Sequence, residues 1–167
     1  MAISVFSVAN YFIKKSEEDS ISITNMKLQK LVYFANAFYL AMKEECEPLF
    51  RERIQAWKWG PVVEDLYHEF KEFGGSGIQR PAVRKLYLTE ESDLISEYYP
   101  IPEDEFSISV LDIIWTIFKD VSASDLSNMT HVEGSPWDIV FKKGEKYIDS
   151  ELIQKFYTPI FNGAIEN

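Results

Sequence analysis

The chain has 167 residues, of which 46% are hydrophobic and 15% aromatic, so it can bury a full core as one domain. No apolar run approaches the ~18 residues that a membrane span needs, and the N-terminus lacks the basic start and apolar core of an export signal. The single cysteine, Cys46, rules out an internal disulfide and fits a reducing compartment, so we expect a cytoplasmic protein.

The first two helices are predicted from apolar residues that recur at helical spacing. One helix is expected from about Ser4 to Ser16, and a second from Thr24, its N-cap, to about Glu45. The second helix is the longest and carries apolar residues on several faces. We therefore expect it to lie at the centre of the fold.

The segment from Ile54 to Val63 joins two parts of the predicted core. Trp57 and Trp59 alternate along it, as they would in an extended piece of chain. Gly60 and Pro61 then fit the N-cap and first position of a third helix, which the glycines of residues 74–77 should end.

Residues 78–88 could form a short edge strand, and residues 89–98 are predicted to form one or two acidic helical turns. Ser107 is expected to cap an apolar helix that ends near Lys119.

Two short helices and a longer one are predicted in the C-terminal part of the chain. Ser122 or Ser124 can cap one short helix, and Ser135 with Pro136 begins the next. The last helix should start at residue 149 or 150 and stop at Pro159, which leaves residues 161–167 as a loose tail. The predicted fold is a mainly α, single compact helical domain of residues 1–160 around a central long helix, with a short β-hairpin as an optional addition.

The net charge of −10 is concentrated in one segment. Residues 86–118 hold eight acids and no base, whereas residues 1–85 carry 12 bases and 11 acids. Such a local acidic face would repel nucleic acid and attract a basic protein, so we expect no direct nucleic acid binding. The alternative is that these acids only solvate the fold. The acids expected to meet a basic partner surface are Glu90, Glu91, Asp93, Glu97 and those from Glu103 to Glu105.

The sequence offers few residues for catalysis. Cys46 lies among three glutamates, whose negative field should raise the pKa of its thiol and disfavour a nucleophilic thiolate. Two histidines and one cysteine, far apart in sequence, do not match a metal-binding spacing, and there is no glycine-rich phosphate loop. We therefore predict no catalytic, cofactor-binding or metal-binding residue.

Aromatic and basic residues are the remaining candidates for binding a partner. The sequence favours packing roles for the two tryptophans and a hydrogen-bonded structural role for His131 over partner contacts. The partner-binding candidates outside the acidic segment are Trp57, Lys58, Trp59, His131 and Trp137.

Three segments, in this order, resemble the signatures of the Panacea, or SocA-like, antitoxin-domain family. They are Thr24–Phe34, Ala56–Val62 and Leu126–His131, and the resemblance extends from about Val5 to Tyr157. It implies a bacterial or phage-borne antitoxin that is encoded beside a toxin, neutralises it by binding and performs no catalysis. Similar proteins neutralise unrelated toxins, including toxic nucleotide synthetases.

Two alternatives to direct neutralisation stay open at this point. One SocA-type member acts as an adaptor that delivers its toxin to a Clp protease, and the resemblance implies that possibility here. A less favoured alternative is a hydrolase-type enzyme with a site assembled near His131. Some relatives also carry a DNA-binding helix-turn-helix domain, whereas few residues precede the first predicted helix here, so operator binding is not expected.

Overall fold

The computed structural model describes residues 2–89 and 92–165, and for residues 87–89 and 92–95 it describes the backbone alone. This part of the chain is mainly helical, as predicted, with two small antiparallel sheets. The helices are α1 (Val5–Glu18), α2 (Asn25–Ala41), α3 (Glu64–Phe70), α4 (Glu105–Phe118), α5 (Ala123–Thr130), α6 (Pro136–Lys142) and α7 (Ser150–Ile165). The strands are β1 (Ile54–Trp57), β2 (Gly60–Val62), β3 (Val83–Thr89), β4 (Ser92–Tyr98) and β5 (Tyr147–Ile148).

Helix α2 is the centre of the fold, which confirms the prediction from its apolar faces. All but two of its 17 residues are buried, and it contacts α1, α3, α4, α5 and α7. It ends at Ala41, four residues before the predicted end. Leu28 and Leu31 have no exposed surface. Since neighbouring elements cover it on several sides, α2 fixes the positions of most other helices.

Polar side chains of α2 bind the backbone of the segment from Leu49 to Tyr67. Asn36 accepts a hydrogen bond from the Leu49 N–H (2.9 Å), and Gln29 accepts one from the Val63 N–H (2.9 Å). Buried backbone groups need such partners where no regular ladder supplies them. The buried polar residues of α2 therefore attach this segment to the core.

Serine and threonine caps begin most of the predicted helices. Ser4, Thr24, Ser122 and Ser135 each accept a hydrogen bond from a backbone N–H in the first turn, as expected for N-caps. One exception is α4, for which the prediction of Ser107 is wrong. Asp104 is the N-cap, and its carboxylate accepts from the Ser107 N–H at 2.8 Å. The helix therefore starts nearly one turn earlier than predicted.

The predicted helix start at Gly60 and Pro61 is also wrong. Both residues belong to β2, which pairs with β1 in antiparallel register, and α3 begins at Glu64 after Val63. Gly60 has φ +116°, a conformation that closes the hairpin and that a helix N-cap does not use. Pro61 is accommodated because β2 is an edge strand of the β2–β1–β5 sheet.

Strands β3 and β4 form a second hairpin, so the prediction of helical turns is wrong for residues 89 and 92–98, while residues 90 and 91 lie outside the described residues. Val83 pairs with Tyr98 and Leu86 with Ile95. Strand pairing overrides the local acidic pattern because each strand supplies the other with backbone partners. The buried side chain of Asn10 in α1 joins the two ends of this hairpin by bonding the Ala82 N–H, the Ala82 carbonyl and the Tyr99 carbonyl.

Helix α7 continues through Pro159 to Ile165, so its predicted end is wrong. Residues 161–165, expected in a loose tail, are helical. Packing explains the difference, because Phe161 contacts Phe38 with ring centroids 5.0 Å apart and stacks on Tyr157 at 5.6 Å. These contacts compensate for the hydrogen bond that proline cannot donate. Among the residues described, no helix is long and apolar enough to cross a membrane.

Candidate partner-binding site

The hairpin of β1 and β2, residues 54–62, carries both predicted tryptophans and is called the tryptophan hairpin below. Lys58 and Trp59 form its turn, and Trp59 is 63% exposed. Trp57 is half-buried and packs edge-on against Tyr67, with ring centroids 5.0 Å apart. The hairpin thus presents one tryptophan to solvent and uses the other for packing.

Three helices hold the tryptophan hairpin through its backbone carbonyls. Alternate residues of the hairpin each accept one side-chain hydrogen bond, and the donors come from α6, α5 and α2. The bonds are Trp137 Nε1 to Trp57 O (2.7 Å), Ser127 Oγ to Trp59 O (2.6 Å) and Lys30 Nζ to Pro61 O (3.0 Å). Because the donors lie on packed helices, the exposed turn is fixed in position.

Two adjoining concavities flank the turn and share Met26, Lys58 and Trp59 in their walls. The first has a volume of about 540 Å³ and the second about 560 Å³. We call the pair the tryptophan groove. The first concavity is also lined by residues of α2, by Trp57, Val62 and Tyr67, and by Lys71 with the glycines that follow α3. The second is completed by Ser124, Ser127, Asn128 and His131.

Lys30 is the buried basic residue of this site. Only 1% of its surface is exposed, and its ammonium donates to the Pro61 carbonyl. Burial lowers the pKa of Lys30 to about 8 because the charged form is desolvated. In the described part of the chain the ammonium forms no ion pair, so the folded protein keeps a buried charge without a carboxylate.

Because Lys30 is buried, we expect the difference in stability between the wild type and a Lys30→Met variant to depend on pH. The pKa of Lys30 falls from 10.5 to about 8 on folding, so between these pH values the unfolded chain binds more protons and stability rises with pH. Below about pH 8 both states are charged and the full cost is present. The free energy of unfolding of the wild type, relative to Lys30→Met, should therefore increase by about 1.4 kcal/mol per pH unit in this window. Urea titrations at a series of pH values measure the difference, and a constant difference from pH 7 to 10.5 would contradict the assignment.

His131 and Trp137, both predicted as partner contacts, have different positions. Trp137 is only 7% exposed, so it supports the hairpin and is not presented to a partner. His131 is half-buried, lines the second concavity and directs Nδ1 at the Ser127 carbonyl. Its ring packs against that of Trp137 at a centroid distance of 3.9 Å. A ring nitrogen that faces a carbonyl must donate, which commits Nδ1 to the backbone.

Cys46 is exposed and its thiol pKa is raised, as the sequence predicts. The causes differ from the prediction, because partial burial comes first and Glu151 second. A raised pKa disfavours the thiolate that a nucleophile needs.

Some acids of the segment 86–118 have partners within the protein, so not all of them are free to meet a partner. Glu90 and Glu91 lie outside the described residues, and Asp93 lies in β4 with its side chain outside the description. Glu97 pairs with Arg84 across the β3–β4 hairpin, and Asp112 pairs with Lys15 at 3.3 Å. With Asp104 as a helix cap, at least three of the eight acids have partners within the protein.

Several residues of the groove were not identified from the sequence. Met26 comes from α2, whereas Tyr67 and Lys71 lie one turn apart at the end of α3, and no local pattern marks Met26 as their neighbour. Lys30 and Gln29 could have been noticed, since polar residues within a helix that is apolar on several faces need a buried partner.

Comparison with known proteins finds similarity over the part of the chain that contains the tryptophan hairpin. The model of the family described as Antitoxin SocA-like, Panacea domain matches residues 28–138, which include the hairpin, Ser127 and Trp137. The chain is 31% identical over 139 residues to Antitoxin SocA of Caulobacter vibrioides (strain NA1000 / CB15N), an alignment that covers 83% of this chain and 71% of that protein. No solved structure gives a significant match.

Proposed function

Because the chain belongs to the SocA-like, Panacea-domain family of antitoxins, we propose that it neutralises a cognate toxin by binding it directly. The observation that carries this proposal is the exposed Trp59 on a hairpin held by three helices beside the tryptophan groove. Exposed aromatic residues on a rigid support are typical of binding hot spots, because little side-chain or loop entropy is lost on association.

Apolar side chains extend the proposed contact surface around Trp59. Met26 is 42% exposed and Tyr67 36%, and both line the groove. Clustered apolar surface of this kind on a water-soluble domain favours an interaction site over a solvated surface. The proposed contact therefore includes Trp57, Lys58, Trp59 and His131 of the predicted residues, with Trp137 beneath them.

The proposal assigns no catalytic step to His131. Its Nδ1 is committed to the Ser127 carbonyl and its ring packs against Trp137, which supports a role in shaping the groove. A hydrolase-type site would need a base or nucleophile beside it with matched geometry. The protein would act in the cytoplasm, where a single unpaired cysteine is stable.

Co-expression with the protein of the neighbouring gene tests this function. The neighbour should stop growth when it is expressed alone, and co-expression of the present chain should restore growth. The two proteins should co-purify, and the level of toxin protein in the cells should be the same with and without the present chain. A toxin that disappears from the cells, and reappears when the Clp protease is deleted, would instead establish the adaptor role. A neighbour that is harmless, or a toxic neighbour that neither binds nor is neutralised, would contradict the antitoxin assignment.

The acidic segment is proposed to orient the toxin by meeting a basic surface. Charge pairs of this kind speed encounter and weaken with salt more than they add affinity. Reversing Glu90, Glu91, Asp93 and Glu97 to lysine should slow association at low salt by at least ~10-fold, within the range that steering supplies. Stopped-flow fluorescence measures the rate, and a wild-type rate that is indifferent to ionic strength would show that these acids only solvate the fold.

A further inference from the structure

We propose that the tryptophan groove binds an acidic, apolar segment of the toxin chain, whose carboxylates meet Lys58 and Lys71 while its apolar side chains pack on Trp57 and Trp59. This inference rests on the proposed function and names the chemistry of the segment that is recognised. It also gives the toxin two regions of opposite charge, an acidic segment for the groove and a basic surface for the acidic face.

The charged residues of the groove are lysines, in a protein with a net charge of −10. Lys30, Lys58 and Lys71 line the first concavity, and Lys58 also lines the second. Of the lining residues that the structure describes, none is an aspartate or glutamate. A basic lining in an acidic protein favours an occupant that carries negative charge.

The two exposed lysines keep their charge free for a partner. The ammonium of Lys58 lies 5.0 Å from the centroid of the Trp59 ring, and within the described residues neither Lys58 nor Lys71 forms an ion pair. Carboxylates close to Lys71 in sequence are occupied, since Arg80 binds Glu69 and Glu72, each at 2.7 Å. An incoming carboxylate would therefore meet cations that no acid in the described part of the chain neutralises.

Asp138, whose carboxylate lies near His131, is likewise bound by other groups of the protein. The pKa of the Asp138 carboxyl is lowered mainly by the Gly134 N–H and then by Lys142. Asp138 accepts from the Gly134 N–H at 2.9 Å and from Lys142 at 3.0 Å. It is thus held by α6 and by the turn before it, and does not line the groove.

The shape of the groove favours an extended chain over a compact small molecule. Each concavity, at about 540 and 560 Å³, could hold one ligand, and the two adjoin at Met26, Lys58 and Trp59. An occupant that fills both must pass over Trp59 and place a large side chain on either side. A peptide with apolar residues separated by acids has this arrangement, with the acids near Lys58 and Lys71.

Fluorescein-labelled 12-residue peptides that tile the toxin sequence provide the probe. In fluorescence polarisation, binding to the full-length protein should be confined to peptides that carry net negative charge and large apolar side chains. The Lys58→Glu/Lys71→Glu variant should bind them at least ~10-fold more weakly, as expected when charge pairs become repulsive. The matched control, Lys143→Glu/Lys155→Glu, changes the net charge equally at exposed sites outside the groove and should bind like the wild type.

A charge exchange makes the test independent of folding defects. Replacing the acids of the bound toxin segment with lysine should abolish binding to the wild type and restore binding to Lys58→Glu/Lys71→Glu. Circular dichroism melts confirm that the variants fold. Restoration identifies the groove, since a misfolded variant cannot regain affinity through a change in its partner.

Other outcomes separate this inference from the proposed function. If the whole toxin binds but no acidic peptide does, or if the double reversal leaves the affinity unchanged, the inference is wrong and the antitoxin function stands. If dodecanoate saturably changes tryptophan fluorescence and leaves toxin binding unaffected, the groove is a small-molecule carboxylate site and the inference is also wrong. A toxin that does not bind at all would overturn both.

Discussion

Replacing Gly60 with alanine is expected to lower the free energy of unfolding by ~2–6 kcal/mol, the sum expected for a strained backbone and a crowded site. Gly60 has φ +116°, which L-residues rarely adopt. An added Cβ would also lie 2.9 Å from Lys30 Nζ and 3.0 Å from Thr130 Oγ1. Neither atom can move freely, since Lys30 bonds to Pro61 and the Thr130 hydroxyl donates to the Ser127 carbonyl.

Chemical denaturation measures the effect of this substitution, with Gly75→Ala as the matched control. Gly75 lies at the edge of the same groove, but a Cβ there would meet nothing within 4 Å and its φ is outside the strained region. The control should change stability by less than ~0.5 kcal/mol, as ordinary surface substitutions do. Equal losses for the two variants would show that Gly60 is not required for the hairpin conformation.

Replacing Trp59 with alanine is expected to weaken toxin binding by at least ~2 kcal/mol, or ~30-fold, the loss that defines a hot spot. The free energy of unfolding should change by less than ~0.5 kcal/mol, because the side chain is 63% exposed and the hairpin is held through backbone carbonyls. A loss of affinity without a loss of stability is characteristic of a contact residue. Truncating a packing residue would instead lower stability and affinity together.

Isothermal titration calorimetry with the purified toxin measures this loss, and Ile160→Ala is the control. Ile160 of α7 is 49% exposed and lies outside the tryptophan groove. Its truncation should leave the affinity within twofold of the wild type, about the error of the measurement. Equal affinities for Trp59→Ala and the wild type would exclude the groove as the contact surface.

Most helix starts that are determined by nearby residues were predictable, although at α4 the cap is Asp104 and not Ser107. Ser122 and Ser135 cap their helices because the hydroxyl and the backbone N–H that it accepts from lie three residues apart. Prediction from nearby residues failed at Gly60 and Pro61, because a glycine followed by a proline is compatible with a helix start and also with an edge strand. Which of the two forms depends on bonds from Lys30 and Ser127, residues that are 30 or more positions away.

The candidate site was predictable only in its most local part. Trp57, Lys58 and Trp59 are adjacent in sequence and were identified together, whereas Lys71 joins them only through the fold. Trp137 was named as a partner-binding candidate because the sequence identifies an aromatic residue but not the direction of its side chain. Its indole points inward to the Trp57 carbonyl, which no helical periodicity could have indicated.

The attachment of the tryptophan hairpin by its carbonyls has a consequence for how the protein can evolve. Every amino acid carries a backbone carbonyl, so the bonds from Ser127 and Trp137 do not depend on which side chains occupy positions 57 and 59. Mutations at the turn can therefore alter the chemistry that it displays while its location in the domain is inherited unchanged. Such a separation lets a lineage acquire new binding partners by drift at a few positions, without rebuilding the scaffold that supports them.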